Sequence, residues 1–121
     1  MANDTFEVEA SLKHLGIAPQ KVRLVVDVVR GKNAFEALDM LRFMPQRAAE
    51  PIFKLIQSAV ANAEENFGLD GADLYVSRIY ADDGPRSRLR PYGGRFGARG
   101  RFKPIINRTS HVTVVLAEHE Y

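Results

Sequence analysis

Apolar and polar positions alternate along the first part of the chain. Phe6, Val8, Ala10 and Leu12 interleave with Glu7, Glu9, Ser11 and Lys13, a period of two that predicts a strand with one buried face. The period then changes. Pro19 suits the first position of a helix, and Val22, Val25, Val26 and Val29 recur at helical spacing as far as Gly31, a natural stop. Leu24 and Val28 form a second apolar face, and Gln20, Arg23, Asp27 and Arg30 a polar stripe between the two. β-branched valines are poor helix formers, so packing on both sides is expected to hold this segment. Asn33 and Glu36 resemble a capping box opening a short helix through Phe35, Leu38 and Leu41.

Pro45 is expected to start a third helix. Its buried stripe is Ala48, Ile52, Leu55, Ile56, Ala59, Val60 and Ala63, its wet side includes Arg47, Glu50 and Lys54, and its stop is Gly68. Pro51 removes one donor and is expected to bend the first turn. Leu74 to Ala81, rich in Tyr, Val and Ile, reads as a strand; Gly84-Pro85 ends it, and Asp82-Asp83 reads as turn chemistry. Val112, Val114 and Leu116 alternate in a last strand. The order β-α-α-α-β-β predicts an α+β fold, a small three-stranded sheet packed on three helices.

Between the last two strands lies RSRLRPYGGRFGARGRFKPIIN. A structureless loop of that length is unusual in a compact domain, so the two strands are expected to continue outward as a long β-hairpin. The chain then reads as a single domain, with a body of about 5–85 and 108–117 and an arm of about 86–107. Pro91, Gly93, Gly94, Gly97 and Gly100 supply turn geometry near its end.

Charge gives the arm its meaning. Arg86, Arg88, Arg90, Arg95, Arg99, Arg101, Lys103 and Arg108 fall in an acid-free stretch. Net charge is only +2, yet the other nine of 17 basic residues face all 15 acids, so the rest of the chain carries −6. A cationic block on a mildly anionic body is the pattern of an arm that binds nucleic acid. Guanidinium groups pair with phosphate in two-pronged fashion, and Tyr92, Phe96 and Phe102 between them can stack on unpaired bases. The bland alternative is a solvated Arg/Gly linker.

Other chemistries find little support. The absence of cysteine removes disulfides and thiolate metal sites. The start, Met1 to Glu9, is too acidic and polar for a signal peptide, and no apolar run approaches the ~20 residues of a membrane span, so no membrane partner is expected. The glycines lack the Gly-Lys-Ser/Thr ending of a P-loop. His14, His111 and His119 have no metal-ligand spacing, and Ser110 and His111 are strand neighbours pointing to opposite faces. No enzyme activity, cofactor or metal is expected. A free regulatory nucleic-acid binder using the same arm stays open as a second reading.

Five stretches stand in order across about residues 10 to 117: Pro19-Gln20-Lys21-Val22-Arg23-Leu24-Val25, Arg30-Gly31-Lys32, Ser58-Ala59-Val60-Ala61-Asn62-Ala63-Glu64, Asp82-Asp83-Gly84-Pro85 and Arg108-Thr109-Ser110-His111-Val112-Thr113-Val114. On them the chain resembles the bacterial family of large-subunit ribosomal protein twenty-two. It implies a body on the outer surface of the large subunit and a hairpin reaching inward to line the peptide exit tunnel. It further implies binding to the large ribosomal RNA, contact with neighbouring ribosomal proteins and the nascent peptide, a part in early assembly, and a place in the cytoplasmic ribosome. Carried over by position, Lys21, Arg23 and Lys32 on the body, and Arg108, Thr109, Ser110 and His111 on the return strand, join the arm cations as RNA contacts. Pro91, Tyr92, Gly93, Gly94, Arg95, Phe96, Gly97 and Ala98 form the expected tunnel tip. Ala18 departs from the family's helix-capping Ser, and the glycine-rich tip is a few residues longer than usual.

Overall fold

A computed structural model describes residues 7–84, 87–88, 94–96, 102–104 and 106–118. Strand β1 (Glu7–Leu15) leads to helices α1 (Pro19–Val29), α2 (Ala34–Arg42) and α3 (Ala49–Phe67). After a single 3-10 turn come β2 (Leu74–Asp83) and the arm segments β3 (Ser87–Arg88), β4 (Gly94–Phe96), β5 (Phe102–Pro104) and β6 (Ile106–Asn107). The last strand, β7 (Ser110–Glu118), is central: the order is β1-β7-β2, with both pairings antiparallel. This is the expected α+β arrangement of a three-stranded sheet and three helices. Phe6 and His119 lie outside the described residues.

The helices cover one face of the sheet. Val8 of β1, Val76, Ile79 and Ala81 of β2 and Val112, Val114 and Leu116 of β7 are buried there against Val22, Val25, Val26 and Val29 of α1 and Ile52, Ile56, Ala59 and Ala63 of α3. Strict alternation along β2 would turn Arg78 into this core. Instead the register shifts between Val76 and Arg78, so Arg78 faces out and Ile79 in. Arg78 then pairs with Glu7 at 3.2 Å across the open face.

The polar stripe of α1 closes the free edge of β2. Arg23 donates Nε and Nη2 to the Ala81 carbonyl at 3.2 and 2.9 Å, and Arg30 donates Nη2 to the Ile79 carbonyl at 3.0 Å. One turn further, Gly31 N–H donates to the Val76 carbonyl and Val76 N–H to the Lys32 carbonyl, at 3.0 and 2.8 Å. Gly31 enters this clasp at φ +80°, a conformation costly for a side-chain-bearing residue. An edge strand that would otherwise offer unpaired groups is thus satisfied from within the chain.

Several expectations need correction. Helix α3 begins at Ala49, four residues after Pro45, so Pro51 is its third residue. N–H groups in the first turn have no intrahelical acceptor, so Pro51 costs no hydrogen bond there. The capping box is half made. Asn33 accepts from Phe35 N–H at 3.2 Å, while among the described residues Glu36 returns no bond. Phe35 is exposed; Ala34, Ala37 and Leu41 are the buried residues of α2. Asp82 and Asp83 are strand residues, paired in register with His111 and Ser110, and not a turn. The second apolar face of α1 is open: Leu24 is 65% exposed. Among the described residues no helix is long and apolar enough to cross a membrane.

Candidate nucleic-acid interface

The arm leaves the body where β2 and β7 run out. Gly84 N–H donates to the Thr109 carbonyl at 2.8 Å, carrying the ladder one rung past Asp83. The approach is close enough that a Cβ on Gly84 would overlap the Thr109 hydroxyl and lie 3.1 Å from the Thr109 carbonyl carbon. Antiparallel pairing resumes at Ser87↔Asn107 and Arg88↔Ile106, then at Gly94↔Pro104, Arg95↔Lys103 and Phe96↔Phe102. The expected hairpin is therefore a paired ribbon over these stretches.

The two ladders do not share a register. Ser87 and Arg88 pair with Asn107 and Ile106, whereas Gly94, Arg95 and Phe96 pair with Pro104, Lys103 and Phe102. Phe96↔Phe102 is the outermost pair among the described residues. Gly94, Arg95 and Phe96 of the expected tip are strand residues paired with Pro104, Lys103 and Phe102. Pro91, Tyr92, Gly93, Gly97 and Ala98 of the expected tip lie outside the described residues, as do Arg86, Arg90, Arg99 and Arg101.

At the foot of the arm, Arg108 is exposed and holds Asp83 loosely, Nη2 to Oδ1 at 3.5 Å. Thr109 is half-buried beside Gly84. His111 accepts His14 N–H on Nδ1 at 3.1 Å, the rings meeting edge to face at 4.9 Å between centroids. A neutral ring accepting at Nδ1 carries its proton on Nε2. His14 holds this contact at φ +60°, within the irregular stretch between Leu12 and Leu15.

Ser110 is a different case. It is fully buried, and its hydroxyl donates to the Ile17 carbonyl. It is among the residues expected to touch RNA, and in the free chain its side chain is turned inward. Its task is to tie the turn before α1 to the central strand.

On the body, Lys21 and Lys32 are exposed, with no hydrogen-bond or ion-pair partner for either ammonium group among the described residues. Arg23 has two of its donors committed to Ala81, so it reaches outward with less than a full guanidinium. Arg47, taken from the sequence only as the wet side of a helix, lies in the loop before α3. It lines a cleft of about 470 Å³ together with Lys21, Leu24 and Arg108. Helical spacing could not bring these residues together, because they come from three separate parts of the chain. No group of three or more metal-ligating side chains occurs among the described residues.

Comparison with known proteins gives a consistent answer. The family model described as "Ribosomal protein L22p/L17e" matches residues 10–117. A relative from Dehalococcoides mccartyi is 50% identical over 113 residues, covering 93% of this chain and 99% of its own length. One from Pediococcus pentosaceus is 44% identical over 121 residues, covering 99% and 98%. One from Thermomicrobium roseum is 48% identical over 113 residues, covering 93% and 92%. All three carry the name "Large ribosomal subunit protein uL22".

Proposed function

Because this chain belongs to the ribosomal protein L22p/L17e family, we propose that it binds the large ribosomal RNA, supports early subunit assembly and lines the peptide exit tunnel with the end of its arm. Family membership makes it a structural constituent of the large ribosomal subunit and not an enzyme. The finer assignment rests on one observation: eight cations without an acid in one stretch of sequence, parts of which pair as a two-stranded ribbon. Isolated two-stranded ribbons are marginal in water. The register also sets Arg95 opposite Lys103. Like charges on one rung destabilise a free ribbon and suit one laid against a polyanion.

The chain works as one domain divided between a body of about 5–85 and 108–117 and an arm of about 86–107. Arg86, Arg88, Arg90, Arg95, Arg99, Arg101, Lys103 and Arg108 hold phosphates, and Lys21, Arg23, Lys32, Thr109 and His111 extend the contact onto the body. Ser110 supports them from inside. The segment Pro91 to Ala98 and the reversal beyond it meet the tunnel wall. Neighbouring large-subunit proteins and the nascent peptide are the further partners, in the cytoplasmic ribosome. A free regulatory binder would need the same arm, but family membership gives it no support.

The test is the salt dependence of binding to a large ribosomal RNA transcript. Six to ten phosphate contacts lose roughly 10³–10⁵ in affinity between about 50 and 200 mM salt. Replacing Arg86, Arg88, Arg99 and Arg101 with Gln should flatten the log–log slope by about three. An unchanged slope and affinity would remove the arm as the main RNA contact.

A further inference from the structure

The cleft between the start of α1, the loop before α3 and the foot of the arm has no role in the fold. Lys21, Arg47 and Arg108 come to it from those three segments, Ile17, Leu24 and Ala48 give it apolar walls, and among the described residues no carboxylate lines it. The side chains of Lys21 and Arg47 have no hydrogen-bond or ion-pair partner among the described residues. The Arg108–Asp83 pair, at 3.5 Å with both side chains exposed, yields cheaply to a better anion. The volume of about 470 Å³ falls inside the ~300–1,000 Å³ of sites that hold small ligands. Leu24 is the odd element: a large apolar side chain 65% exposed, one helical turn from Lys21.

We infer that this cleft takes a single unpaired nucleotide of the RNA, its phosphate held by Lys21, Arg47 and Arg108 and its base laid on Leu24, Ile17 and Ala48. The lining asks for a ligand that carries negative charge and a flat apolar face within one small volume. A nucleotide has both. A base-paired helix has the charge, but its bases are stacked away and cannot enter a concave site; single-stranded positions are where proteins meet splayed bases. Arginine adds a planar surface for the base as well as charge for the phosphate. The start of α1 opens on the same cleft with no side-chain cap, because Ala18 has nothing to offer there; its partial positive charge favours the same anion.

The inference rests on the ribosomal-RNA reading, and the test separates the two. The full-length protein, its Arg47→Gln variant and its Leu24→Ala variant are bound to the large ribosomal RNA transcript across a salt series. Arg47→Gln should flatten the log–log slope by about 0.7–0.9, the share of one phosphate. Leu24→Ala should leave the slope unchanged and weaken binding roughly three- to fivefold, the scale of lost contact with part of a leucine side chain. A wild-type chain that does not bind the transcript overturns the ribosomal-RNA reading itself. Wild-type binding with Leu24→Ala indistinguishable from it overturns the nucleotide site alone, whatever Arg47→Gln does. Ultraviolet crosslinking of the unmodified protein to the transcript gives an independent readout. Nucleotide adducts on residues 16–24 or 46–48 are expected, and adducts confined to the arm would overturn the site.

Discussion

Replacing Ser110 with Ala separates a contact made inside the protein from one made to RNA. The side chain is fully buried on the central strand, in register with Leu15 on one side and Asp83 on the other, and its hydroxyl donates to the carbonyl of Ile17. Ile17 is itself only 8% exposed, so its carbonyl has little access to replacement water. Leaving a buried acceptor unpaired costs about 1–3 kcal/mol, more than the net worth of the bond. For a body of about 90 residues each kcal/mol moves the melting temperature by roughly 4–8 °C, so a fall of about 5–15 °C is expected. RNA binding measured well below both melting temperatures should keep the wild-type salt slope and stay within about twofold of wild-type affinity, because no phosphate contact is removed. The opposite pattern, an unchanged melting temperature with weakened RNA binding, would show that Ser110 reaches the RNA and that its burial in the free protein is beside the point.

Two further substitutions probe the body. Val29→Ala, at a fully buried position of α1, should cost roughly 1–3 kcal/mol in denaturant unfolding, whereas Lys32→Ala should leave the unfolding midpoint in place and weaken RNA binding. A stability loss from Lys32→Ala as large as that from the valine would make the lysine structural. Gly84→Ala should destabilise by about 1–3 kcal/mol by forcing Thr109 aside, and Gly84→Ala combined with Thr109→Ala should recover part of it; strictly additive effects in that double-mutant cycle would refute the close approach.

What could be read from the sequence followed how local each feature is. Period two in β1 and the valine spacing of α1 are local, and both elements form where the pattern puts them. The charge segregation of the arm is compositional and needs no fold to be read, and the pairing expected of the arm is found in its described stretches. The start of α3 misled because Pro45 and Pro51 both fit a first turn, and only packing of Ala48 and Ala49 chooses between them. Arg23 read as a surface cation because nothing in its neighbourhood announces β2, 58 residues away, whose edge it closes. Ser110 carried the same ambiguity across 93 residues. The bulge before Arg78 could not be anticipated, since it exists to keep two stretches of one strand in phase with a core the sequence does not display. Arg47 went unnoticed as a site residue because its partners are Lys21 and Arg108, distant in sequence and joined only around the cleft.

The most direct measurement of the central claim is a density map of the large ribosomal subunit that contains this chain. The body should lie on the outer surface, with Lys21, Lys32 and Arg108 turned toward ribosomal RNA. The ribbon should run inward between RNA segments, and its Pro91 to Ala98 segment should stand at the wall of the exit tunnel. A map in which the body is bound but the ribbon points to solvent, or runs along the surface without entering RNA, would contradict the account.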